Sequence, residues 1–393
     1  MSLSPFDLAV IRSMTRDPSV EPVSVRQFSQ CLTSILSCPS NNNNNNNNSH
    51  IPGRIFFKKA CVKLLQALSP RNPDDKWRVT LHSFRVEQAF LNSTFFNDEF
   101  KVVCTRVCNE QGEEIMLQDA DFSSLFYTVA EALEPPRFVE VAMFDYEKAC
   151  LVIKHLAQFH TRAIRCAQPA PKEIWPRGGW WRTPIRPTVK FHMLRPTLLN
   201  LFAEFPEEFA PFLSSAKQSW EHDADMMAET KRNDLFCPIP TSPTASSSSQ
   251  TPFFLLHGDA KSSNFFFDGN RVVAFDYQWV GWGKTGLGDL VYLLYGSLKM
   301  ETLLAKNELL KEYWRALGVE VSPEVRKAEW AREFLDYFCT AVPYLLGELN
   351  KKRLHKNLTK HGFLSFEMYS SVLVAFVEEA WRSWEVFKEL SPQ

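Results

Sequence analysis

The segment His257-Gly-Asp259-Ala-Lys261-Ser-Ser-Asn264, followed twelve residues later by Asp276-Tyr-Gln278, sets two carboxylates and an amide between apolar runs that read as short strands. Polar groups at such places need a purpose. If Asp268-Gly269-Asn270 forms a three-residue hairpin loop, Phe267 pairs with Arg271. Asn264 then lies opposite Ala274, two residues short of Asp276 and on its face. A carboxylate and an amide oxygen at one end of a hairpin are hard oxygen ligands, suited to a Mg2+ ion that keeps waters and shares phosphate oxygens. Asp259 is expected to face the same pocket. Phosphoryl transfer asks the protein mainly to position groups and neutralise charge, so one carboxylate for the hydroxyl proton and two metal ligands form a minimum set.

These residues carry a resemblance. His257-Gly-Asp-x4-Asn264 with Asp276-Tyr-Gln278 resembles the catalytic loop and metal site of the aminoglycoside phosphotransferase and choline kinase superfamily. The ecdysteroid-kinase-like, or CHK-kinase-like, branch is most similar, through Phe275-Asp-Tyr-Gln-Trp-Val-Gly-Trp-Gly and Gly288-Asp289-Leu-Val-Tyr-Leu-Leu. Weaker likenesses are Cys61-Val-Lys63-Leu for the nucleotide-binding lysine, Ser83-Phe-Arg-Val-Glu87 for its helix glutamate, and His155-Leu-Ala-Gln-Phe-His160 for the first long helix of the larger lobe.

The resemblance implies an α+β, bilobal, protein-kinase-like fold, with a small sheet-rich lobe, a larger helical lobe and ATP between them. It implies ATP- and Mg2+-dependent transfer of the γ-phosphoryl group to a hydroxyl of a small molecule. Asp259 would act as base, with His257 orienting the loop and Asn264 and Asp276 on Mg2+. Lys63 would contact the α- and β-phosphates, paired to Glu87, although Lys58 lies on the same apolar stretch and is the alternative. Asp289 would brace the catalytic loop, or cap its own helix. One departure is plain: no glycine-rich strand-turn-strand precedes Lys63, and a run of asparagines stands where one is expected. A kinase-fold pseudoenzyme that binds a nucleotide or a partner without turnover is therefore the rival reading.

Trp180, Trp181, Gln278, Trp279 and Trp282 are candidates for the acceptor side, as an aromatic box or an apolar lid. Padding of loops over the helical core accounts for them equally well. His155 and His160 stand five residues apart, which on a helix separates them by about 140°, so they suit a core and a surface position better than a metal pair.

Around these residues the chain divides into a lobe at 1–122, with a hinge near Met116 to Ala120, and a second lobe at 123–393. An Asn-rich insert near 39–50 and the stretch 238–252, PIPTSPTASSSSQTP within its flanks, are expected to be mobile. The first half reads as strands plus one helix, with Phe100–Cys108 and Glu113–Gln118 as a hairpin across Asn109-Glu-Gln-Gly112. From Asp145, a possible N-cap, apolar Ala149, Val152, Ile153, Leu156 and Phe159 recur at helical spacing. After residue 285 helices are expected over 290–298, 301–317, 323–349 and 365–390.

Composition adds limits. The 393 residues are 45% hydrophobic and 23% charged, enough for a large core, and 44 Lys and Arg against 45 Asp and Glu leave no basic field for nucleic acid. No secretory signal and no apolar run of membrane-spanning length is seen, and the nine cysteines form no CxxC pair, so the expected compartment is cytoplasmic. Nothing in the sequence separates a monomer from a homodimer.

Overall fold

The computed structural model describes residues 5–15, 21–27, 32–37, 54–63, 66, 74–96, 100–111, 113–166, 170–182, 185, 190–215, 219–237, 254–346 and 366–390. The Asn-rich insert and the stretch 238–252 lie outside them. Five antiparallel strands form the first sheet: β1 (Glu21–Gln27), β2 (Leu32–Ser37), β3 (Arg54–Ala60), β4 (Val102–Cys108) and β5 (Leu125–Glu131), in the order β1-β2-β3-β5-β4.

Alternation along β3 sends its residues to two destinations. Ile55, Phe57 and Lys59 face helix α1 (Pro5–Thr15), where Val10, Ile11 and Met14 complete a core with Tyr127 and Val129 and Lys59 pairs with Asp7 at 2.7 Å. Phe56, Lys58 and Ala60 face the other way, toward helix α2 (Asp74–Leu91) and the cleft. Among the described residues the first half therefore holds helix α1 in addition to α2.

The sheet also corrects two expectations. β4 finds its long partner in β5 from Val102↔Ala130 to Cys108↔Leu125, while the expected hairpin forms only beside its turn, through the bridge Cys108↔Glu114 with Asn109 N–H donating to Glu113 O and Ile115 N–H to Val107 O at 2.9 Å each, before a 3-10 turn at Leu117–Asp119. A lobe boundary at 122 would thus cut β5 from its sheet, and Met116 to Ala120 lies within the same lobe.

The rest is mainly helical. α3 (Tyr146–His160) starts at Asp145, whose side chain accepts the Lys148 N–H at 2.9 Å, and buries Ala149, Val152, Ile153, Leu156 and Phe159 as its spacing requires. α4 (Leu194–Glu204), α5 (Pro206–Ser215) and α6 (Trp220–Arg232) follow. Short strands β6 (Val139–Glu140), β7 (Phe254–Leu256), β8 (Phe265–Asp268), β9 (Arg271–Ala274) and β10 (Gly281–Gly283) form two small sheets, β6-β8-β9 and β10-β7, that hold the loops of interest. α7 (Leu287–Ser297), α8 (Lys306–Leu317), α9 (Pro323–Ala341) and α10 (Phe366–Leu390) complete the lobe. α9 stops where Pro343 enters a π turn, Val342–Leu346, earlier than the expected end at 349, which is outside the described residues. A small sheet lobe and a larger helical lobe are the two parts of the expected α+β architecture.

Candidate active site

The hairpin β8–β9 closes one residue tighter than expected. Phe267 pairs with Val272 and Asp268 with Arg271, leaving Gly269-Asn270 as a two-residue turn. Gly269 has φ +61°, the positive value that a type II′ turn needs at its first central position. Asn264 consequently lies opposite Phe275, whose N–H donates to Asn264 O at 2.9 Å, and not opposite Ala274. The shift brings Asn264 nearer to Asp276. Asp276 itself takes φ 64°, a left-handed conformation that aspartate tolerates better than most residues and that ends β9 abruptly.

The loop from His257 to Asn264 is pinned from beneath. Asp289, fully buried in the first turn of α7, accepts the N–H of His257 at 2.7 Å and of Gly258 at 2.8 Å, and contacts His160 Nε2 at 3.0 Å. It braces the loop and does not cap its own helix, which begins at Gly286. Burial works to raise the Asp289 carboxyl, but the hydrogen bond and charge of His160, with His257 and Gly258, hold it below the usual aspartate range. His160 is locked in turn by the Tyr313 hydroxyl at 2.9 Å. This role of His160 was not readable from a lone histidine on an apolar helix. His257 Nε2 contacts Phe275 O at 3.0 Å, and its Nδ1 accepts the Asp259 N–H at 3.3 Å, which ties the loop to the strand leading to Asp276.

Gly258 is required by its surroundings. It has φ +79°, and a Cβ there would stand 2.0 Å from Trp279 O.

Asp259 is buried, and its Oδ2 accepts from Asn264 Nδ2 at 3.0 Å and from Lys261 Nζ at 2.8 Å. Asn264 Nδ2 also donates to Asp259 O at 2.8 Å, which turns the amide oxygen away from the loop. Asp276 Oδ1 is a buried oxygen with no hydrogen-bond partner among the described residues. A carboxylate oxygen left in this state, with the amide oxygen of Asn264 one strand away, fits a hard divalent cation such as Mg2+.

Across the cleft, Lys58 Nζ donates to both Glu87 oxygens, at 2.9 and 2.7 Å, and lies 3.7 Å from Asp276 Oδ1. Burial pushes the Glu87 carboxyl upward, with Lys58 opposing and Asp276 reinforcing. α2 is held to the sheet next to this pair, Gln88 donating to Tyr127 O at 3.0 Å and to Thr128 Oγ1 at 2.9 Å. The expected Lys63–Glu87 pair is not formed. Lys63 lies beyond the end of β3, is 65% exposed and pairs with Glu110 on the surface. β3 ends at Ala60 and residues 62 and 63 are already helical, so only Lys58 is carried by the strand face that meets Glu87.

Of the aromatic candidates, Trp180, Trp181 and Trp279 are buried, as is Gln278, while Trp282 is partly buried. Trp175 stacks on Trp279 at 5.7 Å and donates to Gln278 O at 2.8 Å. Trp181 packs on Tyr337 at 5.2 Å. The segment is stitched to the site by its backbone, Gly179 N–H donating to Trp279 O and Trp180 N–H to Gly258 O, each at 3.3 Å. A buried charge cluster secures it from behind: Arg177 pairs with Asp234 at 2.6 Å, and Arg182 pairs with Glu333 and Asp336.

The family model described as the ecdysteroid kinase-like family matches residues 97–322, more than half of the chain. No curated protein sequence matches it. Solved structures similar to it include the amicoumacin kinase hAmiN in complex with AMP-PNP, Ca2+ and Ami, at 12% identity and TM-score 0.47, covering 94% of this chain and 89% of that one. Choline kinase from Cryptosporidium parvum Iowa II gives 11% identity and TM-score 0.44 over 98% and 95%. A thermostable mutant of aminoglycoside phosphotransferase APH(4)-Ia, in a ternary complex with AMP-PNP and hygromycin B, gives 10% and 0.45 over 95% and 97%.

Proposed function

Because the chain belongs to the ecdysteroid kinase-like family, we propose that it is an ATP- and Mg2+-dependent phosphotransferase acting on a hydroxyl group of a small molecule. The observation that carries this reading is the convergence on one cleft of Lys58, paired to Glu87, with Asp276 and the Asp259–Asn264 couple.

In this reading Lys58 holds the α- and β-phosphates, taking the place expected of Lys63, and Glu87 fixes its ammonium. Asn264 and Asp276 would hold Mg2+. Bound there, the ion supplies charge neutralisation for the phosphate oxygens. Asp259 accepts the proton of the attacking hydroxyl. Its Oδ1 is the oxygen for this work, since Oδ2 is engaged by Asn264 and Lys261. His257 and Asp289 keep the loop in place. Trp282 offers the acceptor partly open surface, while Trp180, Trp181, Gln278 and Trp279 shape the wall behind it. No described helix is long and apolar enough to cross a membrane. A cytoplasmic setting, with ATP at hand, suits the proposed reaction.

A nucleotide-binding module without turnover has one observation in its favour. The β1–β2 connection, where a sheet of this order would cover the phosphates, is Phe28-Ser29-Gln30-Cys31 and contains no glycine. The asparagine run instead joins β2 to β3.

Calorimetric titration with MgATP and incubation with labelled ATP and a metabolite extract separate these readings. The phosphotransferase reading expects MgATP binding that Asp276→Asn abolishes, and a labelled product that Asp259→Asn abolishes. Binding without any labelled product selects the inactive module, and no binding by the wild type ends both.

A further inference from the structure

We propose that Lys261 is a further catalytic residue of this site, its ammonium touching the γ-phosphoryl group as it transfers. The proposal rests on the phosphotransferase reading above.

Lys261 stands two residues after Asp259, on a backbone that is fixed at several points. Its N–H donates to Asp259 O at 2.8 Å, and its carbonyl accepts the Asn264 N–H at 2.9 Å. The adjoining Ser262 N–H donates to Ser297 Oγ on α7 at 2.8 Å. Asp259, Lys261 and Asn264 are thus parts of one rigid turn. The lysine ammonium reaches Asp259 Oδ2 at 2.8 Å.

Exposure separates the two partners. The lysine side chain is 37% exposed and the aspartate 6%, so the ammonium lies at the mouth of a buried carboxylate. Burial works to lower the Lys261 pKa, but the charges of Asp259 and Asp276 outweigh it and keep the cation. Those two carboxylates are the groups assigned to the acceptor proton and to the metal, and the reacting phosphorus must pass between them. The ammonium 2.8 Å from Asp259 Oδ2, on the same turn as Asn264, therefore stands where the phosphoryl oxygens approach.

In the step itself the acceptor oxygen forms a bond to Pγ while the bond from Pγ to the β,γ-bridging oxygen breaks, its electron pair staying on ADP. The acceptor proton goes to Asp259 Oδ1. Lys261 neither gains nor loses a proton. It shares its N–H donors between Asp259 Oδ2 and an equatorial phosphoryl oxygen, where charge is spread in the transition state.

The test compares full-length wild type, Lys261→Met and Lys261→Arg by calorimetry with MgADP alone and with MgADP plus aluminium fluoride, the mimic of a phosphoryl group in transfer. Lys261→Met is expected to bind MgADP as the wild type does and to lose affinity for the fluoride complex on the order of 100-fold, the scale of one donor to developing charge. Lys261→Arg should recover part of that loss. Melting temperatures of both variants close to the wild type establish folding, and Lys261→Gln repeats the measurement if the methionine variant is unstable. An equal fluoride effect in wild type and Lys261→Met overturns the proposal, as does an equal loss of MgADP itself. A wild type that binds neither MgATP nor MgADP overturns the phosphotransferase reading and this inference with it.

Discussion

Replacing Asp289 by asparagine removes one charge and turns one of two acceptor oxygens into a donor. The native oxygens serve His257 N at 2.7 Å, Gly258 N at 2.8 Å and His160 Nε2 at 3.0 Å, at a position with no solvent exposure. The amide can satisfy one backbone N–H and leaves the other facing an NH2 group. A hydrogen bond to a charged acceptor contributes about 1.5–3 kcal/mol, and stranding a buried donor costs about 1–3 kcal/mol. The variant should therefore lose roughly 3–5 kcal/mol. For a chain of 393 residues that corresponds to a melting temperature lower by roughly 4–6 °C. Thermal unfolding followed by tryptophan fluorescence near neutral pH measures it.

The pH dependence has a definite sign. A carboxyl held below its unfolded value, about 3.9, contributes stability that is present above that value and lost as pH falls through the lower native one. The gap between wild type and Asp289→Asn should be full above about pH 5 and narrow below about pH 4. A variant that melts with the wild type near neutral pH, or a gap that stays constant into acid, refutes the bracing argument.

Two further outcomes are expected. Lys58→Met should weaken MgATP binding at least about tenfold by calorimetry, and Lys63→Met should leave it unchanged, because only Lys58 meets Glu87. Since Lys58→Met also strands a buried Glu87, the Lys58→Met/Glu87→Gln double variant serves as the control, and it too should bind poorly. Gly258→Ala must accommodate a Cβ 2.0 Å from Trp279 O and 2.7 Å from Gly179 N, so it should yield little soluble protein or melt far below the wild type; normal melting would show that the loop is softer than its contacts imply.

What the sequence disclosed follows the range of the forces involved. Helix α3 was legible because its cap and apolar spacing are local, and the Asp259, Asn264 and Asp276 trio because polar residues between apolar runs stand out. The register of β8–β9 was misread by one residue, since Gly269 allows a two-residue turn as readily as the longer one. The choice of Lys58 over Lys63 depended on where β3 ends and which of its faces meets α2, a tertiary matter. β5 escaped notice as the partner of both β3 and β4 because the turn before it, at Asp121 to Ser124, joins it directly to neither strand. His160 became visible only when Asp289, distant in the chain, was brought against it.

The pairing of β2 with β3, from Leu32↔Lys59 to Ser37↔Arg54, decides which lysine looks into the cleft. The homopolymer Asn41 to Asn48 falls wholly within the connection between those strands. Doubling the length of such a connection adds only about 0.6 kcal/mol of closure entropy. Codons for asparagine can thus be gained or lost there over generations without disturbing the Lys58–Glu87 pair. A single residue inserted inside β3 would instead rotate Lys59 inward and Lys58 outward, and end it.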